Sequence, residues 1–298
     1  MHQPSDPAVP AHAPILVTGM PRSGTTWLAR LLASAPGTAL AGREPMNPRG
    51  RQYGLAGTLT GWTELVEPST TQSWALRTAY RGLNPMVLSR YGRRQWACPL
   101  PWTRVVIKDP FALLSIPAVR AATGAVPVVL YRHPAAGLVS YRRMGWRPDL
   151  DELAPILAAH RRGRGQDAGP DLRDVGAPGE VPAMAAFWSA LYEIALDNAE
   201  HAPVVVVSHE RLTTGGADAG RRLFTRLGLR WTPASAQELA GGDGPAVAPA
   251  SDAGRLHQLD RPPAQVAGAW RRQIDPEQLA EIEASTAGVR ARLDALAD

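Results

Sequence analysis

Residues 14–36, PILVTGMPRSGTTWLARLLASAP, restrict the possible fold more than any other stretch of the chain. An apolar run suited to a strand (Ile15, Leu16, Val17) enters a turn bounded by Gly19 and Gly24. It leaves that turn directly as an amphipathic helix, with Trp27, Leu28, Leu31 and Leu32 on one stripe and Pro36-Gly37 as the stop. Such a turn exposes several backbone N–H groups. The helix N-terminus behind it adds unsatisfied donors and the positive end of a dipole, so the segment is a cradle for an anion. Arg22 lies inside the turn, and Ser23, Thr25 and Thr26 add hydroxyls. The nucleoside-triphosphate pattern G-x-x-x-x-G-K-[ST] requires a lysine after the second glycine, and that position here is Thr25.

Further β-rich apolar runs occur at 104–108, 126–131 and 203–208, each followed by helical periodicity, and a short strand is expected near Thr38 to Ala41. This alternation predicts an α/β protein with a three-layer, P-loop-like fold, in which a central, mostly parallel sheet is flanked by helices. Helices are predicted from Pro134 to about Met144, from Val181 to about Glu200 and from Asp275 to near Leu296. In the last, Asp275-Pro276-Glu277 supplies a cap, a first-turn proline and an acid. The reading is one domain over 14–298 after a disordered tail at 1–13. Residues 49–103 mix arginines with Trp62, Trp74, Trp96 and Trp102 and read as helices and loops inserted over the strand ends, while 161–180 and 241–263 read as Gly/Pro-rich loops. Because ligands in open α/β sheets bind beyond the carboxyl ends of the strands, segments 45–103 and 145–180 are expected to set specificity.

Composition narrows the ligand. Thirty-two basic residues against 27 acids give a net charge of +5 over 298 residues, too mild to indicate nucleic acid and equally suited to a small, doubly anionic ligand. Among those basic residues only Lys108 is a lysine. Chance survival in an arginine-biased chain would explain it, as would a site that needs a compact ammonium. Cys98 is the single cysteine, so an internal disulfide or cysteine metal site is not expected, and the cytoplasm is the expected compartment. The N-terminus lacks a signal-like apolar stretch and no run reaches about 18 apolar residues, so no membrane association is expected.

Four segments, in order, resemble the sulfotransferases that use 3′-phosphoadenosine-5′-phosphosulfate (PAPS). Pro21-Arg22-Ser23-Gly24-Thr25-Thr26-Trp27-Leu28 resembles their 5′-phosphosulfate loop. Arg43-Glu44-Pro45 lies near where tyrosine and heparan-type members carry a catalytic glutamate. Arg104 to Phe111 resembles the central strand that ends in a catalytic-site lysine, and Lys108-Asp109-Pro110-Phe111 is close to the form in protein-tyrosine sulfotransferases. Tyr131-Arg132-His133-Pro134, with Ser140 eight positions after Arg132, is similar to the 3′-phosphate motif.

The resemblance implies in-line transfer to an acceptor without a metal. Lys108 and Arg22 would then be the cations at the transferred group, and Ser23, Gly24, Thr25 and Thr26 the donors to the 5′-phosphate. Arg132 and Ser140 would take the 3′-phosphate, unless Arg132 pairs with an acid such as Asp109. Trp27 occupies the adenine-stacking position and equally suits the core. His209 stands where the family often has an adenine-side tyrosine. Trp270 and Arg271 resemble a Gly-x-Trp-Lys/Arg segment over the bisphosphate, without its usual preceding Arg-Lys-Gly. Small-molecule members use a histidine two residues after the lysine, and this chain has Pro110 there; Glu44 is the expected general base, with Asp109 the second candidate. His12, His160, His201 and His257 are expected to be exposed. The implied partner is a small-molecule, glycan, lipid or peptide acceptor, with neither nucleic acid nor membrane, and a homodimer is left open. The competing readings are an atypical P-loop kinase and a non-catalytic adenine-nucleotide-binding protein.

Overall fold

The computed structural model describes residues 12–49, 55, 57–175, 179–200, 202–241 and 268–297. The expectations for a disordered tail, except residues 12 and 13, for most of the 241–263 loop, and for His201 and His257 lie outside the described residues.

Among the described residues, six strands form one sheet in the order β3-β2-β4-β1-β5-β6: β1 Ile15–Thr18, β2 Thr38–Gly42, β3 Leu88–Arg93, β4 Arg104–Lys108, β5 Val126–Tyr131 and β6 Val205–Ser208. All neighbours run parallel except the edge pair β2 and β3. The central strands are continuous apolar runs because both faces are covered, and alternate residues part between two cores. Ile15, Val17, Val128, Leu130, Val205 and Val207 face one cluster with α1 (Thr25–Leu32), α9 (Gly216–Arg226) and α10 (Pro233–Ala240). Leu16, Ile107, Val129 and Val206 face the other, beneath α2 (Thr70–Tyr80), α3 (Ile116–Thr123), α4 (Pro134–Met144), α7 (Glu180–Ala199) and α11 (Pro276–Leu296). The result is a three-layer α/β fold.

The chain winds from β1 outward to β2, returns to β4 beside β1, and then crosses to β5 and β6 on the other side. The winding reverses about β1, which opens a crevice beyond its carboxyl end. Val17 is in register with both Lys108 and Val128, so the strand ends that carry the predicted residues lie side by side.

Two local expectations are corrected. The segment read as helices and loops over 49–103 contains α2 but also the edge strand β3, whose alternation is too short and polar to stand out. The loop expected from 161 begins inside a helix, α5 (Leu150–Gly163), and the same loop holds the short α6 (Leu172–Val175). Asp149 caps α5, its Oδ1 accepting from Glu152 N at 3.2 Å, while Pro155 sits within the helix. That interior proline, with the glycines that follow, hides the helix from a periodicity reading.

Candidate functional site

The loop between β1 and α1 is shaped by backbone constraints. At Gly19, φ is +151°, and a Cβ would collide with the carbonyl oxygen of Leu130. Gly24 caps α1 with φ +104°, and a Cβ there would stand 2.8 Å from the His209 ring. Arg22 is held at φ +74°. A left-handed arginine costs about 1–3 kcal/mol and persists where surrounding contacts over-determine it, typically at a ligand clamp. Here the contacts are visible: Arg22 Nε donates to Ser140 Oγ at 3.0 Å, and its guanidinium lies 6.0 Å from the Trp146 ring centre. Ser23 and Thr25 are buried, and Thr26 is half-buried.

Opposite the loop, the end of β4 presents Lys108, whose Nζ forms an ion pair with Glu44 Oε1. Glu44 Oε2 accepts from Asn47 Nδ2 at 2.5 Å. Glu44 follows β2, and the turn that carries it is fastened by Asp109. The Asp109 carboxylate accepts from Met46 N at 2.6 Å and from Phe111 N at 3.1 Å. Asp109 is fully buried, and burial, reinforced by the Glu44 charge, pushes its carboxyl up to about 8. Asp109 thus lies beneath the site, and Glu44 lies in it.

Arg132 follows β5. Its Nε stands 4.0 Å from Glu210 Oε1, so the acid beside it is Glu210, and the alternative partner Asp109 is instead engaged with backbone. Burial lowers the pKa of Arg132; Glu210 opposes this, while the charges of Arg22 and Arg143 add to it. Burial and the Arg143 charge likewise lower that of Arg22. Three guanidinium groups therefore repel one another around the loop, and an anion would relieve them. Glu210 also feels Arg271, so Arg271 stands near the same group.

His209 packs over the loop, 5.2 Å from Trp27 between ring centres. Burial, then Arg132, pushes its pKa down to about 3, so the imidazole is neutral. Trp27 also packs against the α1-side core. Trp270 is buried and stacks on His133 at 4.6 Å, and the Arg271 guanidinium lies over its ring, 4.6 Å from the ring centre. Trp27 Nε1, His209 Nδ1 and Trp270 Nε1 have no hydrogen-bond partner among the described residues. A buried polar atom left without any partner costs about 1–3 kcal/mol.

Thus Arg22, Ser23, Gly24, Thr25, Thr26, Trp27 and His209 surround one loop. Ser140 touches it through Arg22, Lys108 and Glu44 face one another, and Arg132, Trp270 and Arg271 gather around Glu210 and His133. Three neighbours escaped the sequence reading. Arg143, three residues after Ser140, carries only a charge as a signal, and Glu210 directly follows His209 in a segment similar to the family's Tyr-Glu-x-Leu. Tyr192 carries none: its hydroxyl accepts from Met20 N at 3.1 Å and donates to the Leu130 carbonyl at 2.8 Å, tying α7 to the loop. His160 is a correction. Its side chain, only 6% exposed, sits between Glu64 Oε1 at 2.6 Å and Asp197 Oδ2 at 3.4 Å.

A model of the family described as "Sulfotransferase family" matches residues 14–233. No curated protein matches the chain. Among solved structures, it is similar to the sulfotransferase domain from the curacin biosynthetic pathway, with 18% identity over 92% of this chain and 98% of that one and a TM-score of 0.49. It is similar also to the sulfotransferase domain of the Synechococcus PCC 7002 olefin synthase, with 18% identity over 94% and 98% and a TM-score of 0.46. For sulfotransferase STF9 from Mycobacterium avium, identity is 15% over 94% and 77%, with a TM-score of 0.42.

Proposed function

Because the chain belongs to the sulfotransferase family through residues 14–233, we propose that it moves the sulfuryl group of PAPS, without a metal ion, to a hydroxyl or amine of a small-molecule, sugar, lipid or peptide acceptor. PAPS supplies an activated SO₃ group and departs as adenosine 3′,5′-bisphosphate. Arg22 and the donors of Ser23, Gly24, Thr25 and Thr26 would hold the 5′-phosphate, and Arg132 with Ser140 the 3′-phosphate. Trp27, the neutral imidazole of His209, Trp270 and Arg271 would enclose the nucleoside and bisphosphate. We take the working compartment to be the cytoplasm.

The observation that carries this reading is the Lys108 and Glu44 pair beside a phosphate loop that lacks the triphosphatase lysine. Sulfuryl transfer needs a fixed cation where charge develops on the departing oxygen, and a base where the acceptor sheds its proton. Lys108 is the cation and Glu44 the base. Asp109, buried and held to Met46 and Phe111, fixes the Glu44 turn. A nucleotide binder needs neither member of the pair, and a kinase would use a loop lysine.

Calorimetry in EDTA tests it. Adenosine 3′,5′-bisphosphate should bind at least about tenfold tighter than ATP or AMP, about 1.4 kcal/mol or more. Arg132→Ala should abolish most of that preference, because a charge-assisted contact contributes about 1.5–3 kcal/mol. Equal affinities for the three nucleotides, or an absolute requirement for Mg²⁺, would sink the assignment.

A further inference from the structure

Between Glu67 and Asp149 the chain carries twelve basic residues and one acid, Asp109, which is fully buried. Arg104 is buried and Arg93 pairs with Glu238, whereas Arg77, Arg81 and Arg120 stand exposed. At the amino ends of β2 and β4, away from the end that carries Lys108 and the phosphate loop, the stretch also displays large apolar side chains. Trp96 is 78% exposed, Trp102 66%, Trp74 63% and Leu83 56%.

These residues share one region. Gly82, after α2, backs directly onto Cys98. From there the chain turns through Leu100 into β4, Thr103 N donating to Leu100 O and Arg104 N to Gly37 O ahead of β2. Arg77, one turn beyond Trp74 on α2, donates from Nε to Ala122 O near the end of α3, two residues from the exposed Arg120. Arg81 is exposed at the end of α2.

We propose that this face docks onto an anionic lipid bilayer, with Trp74, Trp96 and Trp102 entering the interface and Arg77, Arg81 and Arg120 lying against the lipid anions. Indole is suited to the boundary between headgroups and acyl chains, and clustered arginines are drawn to negative headgroups. Side chains this exposed, from 56% at Leu83 to 78% at Trp96, are not walled into a groove, so they suit a deformable interface better than a folded protein's rigid complement. A second copy of the chain, face to face, would set these arginines against their own like charges. The sequence expectation of no membrane contact rested on the lack of a spanning run. No described helix is long and apolar enough to cross a membrane, and a peripheral contact needs none. Docking by this face leaves the crevice at the other end of the sheet open to solution.

Vesicle flotation of the full-length chain tests the proposal. Vesicles containing about 30 mol % phosphatidylglycerol in phosphatidylcholine should bind at least about tenfold more tightly than pure phosphatidylcholine, and salt should weaken the difference. Brominated acyl chains should quench the tryptophan emission of the unaltered protein. Trp96→Ser with Trp102→Ser should reduce that quenching, and Arg77→Glu with Arg81→Glu should remove the preference for anionic lipid, with bisphosphate affinity and melting temperature unchanged. Equal binding to both vesicle types, absence of quenching, or full binding by the four-site variant overturns the proposal. So does a dimer that the tryptophan substitutions dissolve while no vesicles are bound, or retention by an acidic protein without vesicle binding.

Discussion

At the scale of single residues, the site is organised by opposed charges. Lys108 and Glu44 neutralise one another at the mouth of the loop, so each is partly positioned by the other. Glu44→Gln should lower turnover by about 10²–10⁴ with bisphosphate affinity nearly unchanged. Lys108→Ala should lower it by about 10²–10³, with poor rescue by arginine, whose planar fork cannot occupy the point of the ammonium. Since the two act together, the double variant should lose less than the product of the single losses; single-turnover assays would show a full product if they act separately. His160 offers a second residue-scale test, outside the site. The hydrogen bond that the Glu64 carboxylate accepts from His160 raises the imidazole pKa, burial opposes, and Asp197 adds to the rise. A histidine whose folded pKa exceeds the unfolded value of about 6.5 stabilises fully below that value and loses the contribution as pH climbs through the folded pKa. His160→Gln should therefore depress the melting temperature more at pH 6 than at pH 9, a difference that calorimetric scans at the two pH values would reveal. An equal depression at both would mean that the imidazole contributes only shape.

Among the elements, α1 and α5 contrast. In α1, Gly24 supplies the left-handed cap, and Leu28, Leu31 and Leu32 bury one face, so local preference and tertiary position agree. In α5, Asp149 caps and Leu153, Ala154 and Leu157 bury a face, but Pro155 interrupts the ladder on the exposed side. Proline there removes one hydrogen bond and crowds the preceding turn. Pro155→Ala should stabilise the protein by about 1 kcal/mol or more, toward the roughly 3 kcal/mol that separates the two residues in a helix interior. A melting temperature that stays level or falls would show that the surrounding packing has adapted to the proline.

Across the whole molecule, α7 links the second core to the chemistry. Apolar nearly all round, it is buried against α4, α5 and α11. From it Trp188 donates to the Arg132 carbonyl at 3.0 Å, and Tyr192 bridges Met20 and Leu130. Both halves of the candidate site thus lean on one helix. Tyr192→Phe would leave the Met20 N–H and the Leu130 carbonyl without this partner, a cost of about 1–3 kcal/mol. The melting temperature should drop by about 2–4 °C per kcal/mol, and bisphosphate affinity should fall with it. Loss of stability with affinity intact would mean that the loop holds its shape without Tyr192.

How much of this was legible follows from the range of the forces involved. The strand, loop and helix of residues 14–36 were readable because hydrophobic period, glycine placement and helix stop are local, and the same holds for β4, β5, β6, α4, α7 and α11. Lys108 stood out as the single lysine, and Glu44 through its distance from Arg22. Charge and spacing, however, do not say who faces whom. Only the tertiary structure joined Glu44 to Lys108, turned Arg22 onto Ser140, gave Arg132 Glu210 as its neighbouring acid, buried Asp109 beneath the Glu44 turn and enclosed His160 between two acids. Each of those contacts links residues at least 37 positions apart, and the net free energy of any one is too small to leave a mark on a single sequence. Short-range preferences determined the elements, and the packing of the two cores against a shared sheet determined which side chains meet.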